Sequence, residues 1–108
     1  MIFSQKLAEQ YRNLKNETQD CLLLMQVGVF MQVQGDDARK VADITGFKLQ
    51  MAGDPDNPVV LGGFPKSGLD KYIGMLVRAG HSVAVAYQDE RKDRRVSEVI
   101  RVTAGKAE

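Results

Sequence analysis

The sequence has no tryptophan, one histidine, one cysteine and three prolines among its 108 residues. A single cysteine, Cys21, excludes an internal disulfide and fits a reducing, cytoplasmic compartment. It sits in an apolar run and reads as a small buried hydrophobe, not as a nucleophile. One histidine and one cysteine do not make a zinc site of the usual His/Cys type. No apolar run approaches the roughly 18 residues of a membrane span. The start, Met1-Ile2-Phe3-Ser4, lacks the basic stretch and long apolar segment of a signal peptide. An excess of one charge sign is missing too: 15 Lys and Arg stand against 14 Asp and Glu, a net of +1. That excludes a partner held by bulk positive charge, so any contact with nucleic acid must come from local placement of side chains.

What is present is a chain of 44% hydrophobic and 27% charged residues, enough to bury a core as one domain spanning 1–108. Ser4 is placed to cap a first helix carrying Leu7, Tyr11 and Leu14 at helical spacing. Cys21 to Met25 is a continuous apolar run, expected as a central strand buried on both faces. After Gly28, residues 29–34 alternate, and the short spacing predicts an antiparallel hairpin. Asp36 or Asp37 opens a second helix that stops at Gly46. Strands are expected over 47–51 and 59–61, separated by a Gly53–Pro58 loop, with the second ending at Gly62-Gly63. A third helix follows Pro65-Lys66-Ser67-Gly68 and carries Leu69, Tyr72, Ile73, Leu76 and Val77, with Gly80 past its end. Strands over 82–87 and 96–102 flank a charged loop, and Ala104 to Glu108 is a tail. The predicted order is αββαββαββ, an α/β (α+β) domain with a mixed sheet of about six strands flanked by three helices.

Four places could carry chemistry. In the second strand, alternation sets Val29, Met31 and Val33 against the core and groups Phe30 with Gln32 and Gln34. Phe30 offers a face for stacking on a base, and Gln32 can donate to and accept from a base edge. The alternative, which the pattern alone favours, is that a helix covers this face and Phe30 is ordinary core. The segment Gly62-Gly63-Phe64-Pro65-Lys66-Ser67 leads into a helix whose free amides could meet phosphate, although a plain strand-to-helix turn explains it as well. In Arg91-Lys92-Asp93-Arg94-Arg95 four cations sit near Asp89, Glu90 and Asp93, the composition of a solvated hairpin loop that could also track a phosphate backbone. Asp36-Asp37 is what a helix start favours on dipole grounds, and His81 has no Ser or Cys partner at a motif spacing, so no enzyme is expected and no cofactor.

The order of these segments resembles the N-terminal, mismatch-recognising domain of the MutS family. Gly28-Val29-Phe30-Met31-Gln32-Val33 falls where the family carries a Gly-Asp-Phe-Tyr-Glu-Leu motif, and Asp36-Asp37-Ala38-Arg39 follows as its Asp-Asp-Ala-Lys does. Val59 to Pro65, then Tyr72-Ile73 and Leu76-Val77, is similar to the Pro-Met-Ala-Gly-Ile-Pro segment and the helix after it. Gly80-His81-Ser82-Val83-Ala84 and Gln88 match the next strand, and Val102-Thr103-Ala104-Gly105 looks like the family's Val-Thr-Pro-Gly. The resemblance covers about residues 7–106. It implies that Phe30 is the aromatic wedge that stacks on a mispaired base from the minor groove, and it reverses the reading of Phe30 as core. It also places Gln32 where the family has the glutamate that bonds that base. The departures are Gln32 itself, Val29 for an aspartate, Met31 and Gln34 for aromatics, and a Lys-Arg pair reduced to Lys48 beside Leu49. No Walker-type Gly-Lys-Ser/Thr occurs. The Met start and the diverged motif favour a stand-alone protein over an excised domain.

The expectation is a nonenzymatic DNA-binding module for mispaired or distorted double-stranded DNA. Phe30 is the wedge, Gln32 the base-edge contact, and Lys48, Lys66 and Ser67 are candidate phosphate contacts. The alternative is a protein-interaction module, docking on a protein partner or a second copy through an exposed Phe30 and Met31 region. No membrane and no metal is expected in either case.

Overall fold

The computed structural model describes residues 1–102, and the expected tail over 104–108 lies outside the described residues. Helix α1, Gln5–Glu17, starts where Ser4 Oγ accepts the Leu7 amide at 3.1 Å. Leu7, Ala8, Tyr11 and Leu14 form its buried stripe. Strands β1, Leu22–Val27, and β2, Phe30–Gln34, form the expected antiparallel hairpin. Its two-residue turn has Gly28 at φ 63° ahead of Val29, glycine where a type II′ hairpin needs it. Helix α2, Gly35–Thr45, is closed by Gly46 in the left-handed region. Then come β3, Gln50–Asp54, β4, Asn57–Pro65, a single 3₁₀ turn, and α3, Leu69–Arg78. Strands β5, Val83–Gln88, and β6, Arg94–Ile100, finish the described chain. No helix among the described residues is long and apolar enough to cross a membrane.

The sheet order is β3-β4-β2-β1-β5-β6. Among the described residues only β1 and β5 pair in parallel. This is the mixed α+β sheet expected, with β1 in its middle. Leu22 and Leu24 point to one face, where α2 and α3 cover Met31, Val33, Phe64, Val83 and Val85. Leu23, Met25 and Val27 point to the other, under α1. Because β1 is apolar on both faces, each of its leucines is buried, worth about 1.5–3 kcal/mol apiece before entropy is counted.

Several boundaries differ from the sequence expectation. Strand β4 runs through Gly62-Gly63 instead of ending there. The glycines serve close packing: a Cβ on Gly62 would lie 2.4 Å from the Phe47 ring, and one on Gly63 would lie 2.6 Å from the Met1 methyl. A ring thus lies against one and the N-terminal segment against the other. Strand β3 begins three residues later than expected, because Phe47 leaves the edge to pack on the core. The presumed loop Gly53–Pro58 is mostly strand, folded at a two-residue Pro55-Asp56 turn. Val29, expected against the core, is 73% exposed because it belongs to the turn and not to the strand. His81, just past the end of α3, is half-buried.

Candidate nucleic-acid interface

The β1–β2 turn stands at one end of the sheet, between the end of β4 and the end of β5. Phe30 is its first strand residue and is 44% exposed, an unusual state for a phenylalanine at the start of a central strand. Lys66 and Ser67 are exposed beside it. With Gln26, Val29, Phe30 and Pro65 they line a shallow concavity of about 630 Å³. The structure therefore brings three of the sequence candidates together: Phe30, Lys66 and Ser67. The Lys66 amide donates to the Val29 carbonyl at 2.8 Å. Its ammonium reaches across to the Tyr87 ring, 5.4 Å from the centroid, a weak cation–π contact. Burial, and then the Glu98 carboxylate, push the Tyr87 hydroxyl above its ordinary pKa.

Gln32 and Lys48 stand elsewhere. Gln32 shares its face of β2 with Phe30, as alternation predicts, but its side chain is fully buried. Its Nε2 donates to the Ile2 carbonyl at 2.7 Å, and its Oε1 accepts from Gln34 Nε2 at 2.8 Å. The N-terminal segment, with Met1 against Gly63 and Phe3 against Gly53, lies over this part of the sheet, which α1 leaves to it. Lys48 is exposed in the stretch before β3 and does not line the Phe30 concavity. Met31, grouped with Phe30 as an exposed docking patch in the interaction reading, is fully buried; Val29 is the exposed apolar neighbour.

Sequence reasoning missed the side chains that hold the turn. Gln26 Nε2 donates to the Gly28 carbonyl at 3.0 Å, and Gln26 Oε1 accepts the Gln88 amide at 2.8 Å. The Gly28 amide in turn donates to Gln88 Oε1 at 3.2 Å. Arg94 donates through Nε to the Gln26 carbonyl at 2.6 Å and through a terminal nitrogen to Gln10 Oε1 at 2.9 Å. Burial draws its pKa down. Arg94 is thus a structural member of the basic run; Arg95 leans on Asp89 at 3.5 Å, while Arg91 and Lys92 are solvated. The available signal was Gln26 itself, a polar side chain inside an otherwise apolar strand, which needs partners.

At the opposite end of β2, Asp37 is buried in a second polar cluster. Its carboxylate accepts the Leu23 amide at 3.0 Å and the Tyr11 hydroxyl at 3.3 Å, and pairs with Lys15 at 2.9 Å. The Tyr11 hydroxyl also lies 2.6 Å from the Leu23 carbonyl. Burial and the Asp37 charge push the Tyr11 pKa well above its ordinary value. The Asp36-Asp37 pair is therefore only half a helix-dipole feature: Asp36 is exposed, and Asp37 ties α1, β1 and α2 together. Among the described residues no group of three or more His, Cys, Asp or Glu side chains is placed to hold a metal.

Comparison with known proteins agrees with this architecture. The sequence matches the family described as MutS domain I over residues 5–105. It is 37% identical over 92 residues to the DNA mismatch repair protein MutS of Methanothrix thermoacetophila, covering 83% of this chain and 11% of that protein. To the protein of the same name from Parabacteroides distasonis it is 39% identical over 85 residues, 78% of this chain and 10% of that protein. The chain spans about a tenth of the length of these curated relatives. With the hairpin, the mixed sheet and the segment order all in place, the chain belongs to the MutS domain I family.

Proposed function

We propose that this chain binds double-stranded DNA at mispaired or distorted sites without catalysing a reaction, with Phe30 as the wedge that stacks on a base. The observation that carries the reading is Phe30 itself, a large aromatic held partly in solvent at the tip of a fixed hairpin, beside Lys66 and Ser67. Minor-groove wedging unstacks a base step at a cost of a few kcal/mol, offset by contacts to the bent duplex. A mispaired step is already weakened, so it opens at lower cost than a matched one. Lys66 and Ser67 meet phosphates near the wedge, and Lys48 meets the backbone farther along the duplex. Gln32 reaches a base edge only after residues 1–3 lift from it. Its relatives carry the words DNA mismatch repair in their names, which supports the class of ligand. DNA binding and the buried free thiol of Cys21 both fit a cytoplasmic, reducing setting.

With a net charge of +1, affinity is expected to be on the order of the 10⁻⁴–10⁻⁶ M of nonspecific binders at physiological salt, with a preference for mismatched duplex. The test is a titration of matched and mismatched duplexes at two salt concentrations. Equal affinity for both duplexes overturns the wedge. A second reading, a protein-docking tip, is favoured by one observation: Val29 and Phe30 together form an exposed apolar pair. Protein capture that is lost in Val29→Ser, with no duplex shift at any salt, selects that reading.

A further inference from the structure

We propose that Gln26 and Gln88 are positioning residues for the Phe30 tip, forming an amide brace that carries the load of base unstacking into the centre of the sheet. The inference rests on the wedge reading and adds what makes a wedge stiff. Backbone pairing reaches the tip on both sides but leaves Gly28 out. On the β4 side Phe30 stands opposite Pro65, and the Lys66 amide closes the ladder on the Val29 carbonyl at 2.8 Å. On the β1 side, Val27 pairs with Phe30 at the last position before the turn. Gly28, at φ 63° in the two-residue turn, lies outside both ladders, so its amide and carbonyl take their partners from side chains.

The two glutamines are those partners. They occupy both hydrogen-bonding groups of Gly28: its carbonyl accepts from Gln26 and its amide donates to Gln88. They also bind each other, through the Gln88 amide and Gln26 Oε1. Arg94 then fixes the Gln26 carbonyl. Gln88 ends β5, the strand that pairs in parallel with β1, so force applied at Phe30 passes through Gly28 into two central strands. Gln88 uses its side chain only as an acceptor toward the turn. That makes the role testable atom by atom.

The experiment compares the full chain with Gln88→Leu, Gln88→Glu, Gln26→Met and Phe30→Ala. Affinity is read by fluorescence anisotropy on one matched duplex and one mismatched duplex carrying 2-aminopurine beside the mismatch. Gly28 amide exchange is read by NMR. Gln88→Leu should bring the mismatch preference to within about twofold of unity and quench the 2-aminopurine unstacking signal. The Gly28 amide should lose protection. Gln88→Glu keeps the acceptor, so protection and preference should return, while the added charge weakens both duplexes alike. Gln26→Met should behave like Gln88→Leu, and it decides the matter if Gln88→Leu does not fold. A Gln88→Leu or Gln26→Met protein that folds and keeps the full preference overturns the brace while the wedge stands, provided Phe30→Ala abolishes that preference. If Phe30→Ala keeps the preference, the wedge fails and the positioning role falls with it.

Discussion

Phe30, Gln32 and Gln34 lie on one face of one strand, yet their exposures are 44%, 0% and 6%. At the Phe30 end the strand meets solvent and is steadied by hydrogen bonds to its turn. At the Gln32–Gln34 end it is covered by residues far away in the chain: Met1 to Phe3 above Gln32, and α1 with the Asp37 cluster beyond. Alternation fixes which face a side chain points to, and what covers that face is decided elsewhere. An apolar residue is therefore partly in water at one end, and polar residues are in the interior, hydrogen-bonded to each other and to the Ile2 carbonyl, at the other.

The largest expected contrast is in stability. Asp37→Ala leaves the Leu23 amide and the Lys15 ammonium without their partner, and should cost about 3 kcal/mol, at the low end for a broken buried pair because Lys15 is partly solvated. Phe30→Ala should change stability by less than about 1 kcal/mol, the range of a surface substitution plus a partly buried ring. Urea unfolding of both variants measures the difference. Equal costs would place Phe30 in the core and end the comparison.

Next in size is the effect of Phe30→Ala on binding. Loss of one stacked base should weaken mismatched duplex by about 1–3 kcal/mol, and matched duplex by less, because few matched steps open. A uniform loss on both duplexes would mean that Phe30 rests on the groove without entering it.

The legible part of the fold was the part governed by local rules. Ser4 as a cap, Gly46 and Gly80 as helix stops, and the apolar Cys21–Met25 run each follow from a short-range requirement, and each appears where the sequence puts it. The strand ends were less legible. Gly62-Gly63 looks like a stop, and only the ring of Phe47 and the Met1 side chain explain why glycines are needed mid-strand. For the site, Phe30 was readable as the odd member of its face. Gln32 appeared equivalent to it because the N-terminal segment that buries it is three residues long and carries no periodicity. The brace was not readable, since Gln26 and Gln88 are 62 residues apart and meet only through the parallel β1–β5 pairing.

A third effect sharpens the buried end. The folded state holds the Tyr11 proton more tightly than the unfolded chain, where the pKa is near its ordinary value of about 10. A raised folded pKa gives stability that is complete below the unfolded value and is lost as pH rises beyond it. Unfolding free energy should fall by about 1.4 kcal/mol per pH unit above about pH 10 from this group. Tyr11→Phe should remove that share of the alkaline slope, while Tyr87→Phe, near the exposed end and only modestly perturbed, should remove little. Identical slopes in parent and Tyr11→Phe would show that the hydroxyl is not buried as described.

The smallest effect is expected at Gln32, and it tests whether cover alone separates the two ends of the strand. Removing residues 1–3 leaves the Ser4 cap of α1 in place and takes the Ile2 carbonyl from Gln32 Nε2. Water then meets the freed amide, so the hydrogen bond should account for about 1 kcal/mol, with the small packing of Met1 and Phe3 lost beside it. With the segment present, Gln32→Ala should leave duplex affinity unchanged, because a fully buried side chain has no base to touch. In the shortened chain the same substitution should weaken mismatched duplex by a few-fold, since Gln32 then shares an open face with Phe30. The informative quantity is the difference between the two Gln32→Ala effects, measured by titration of the same mismatched duplex. If the substitution acts equally with and without residues 1–3, the segment is not a cover over the binding face, and the contrast between the two ends of β2 has another cause.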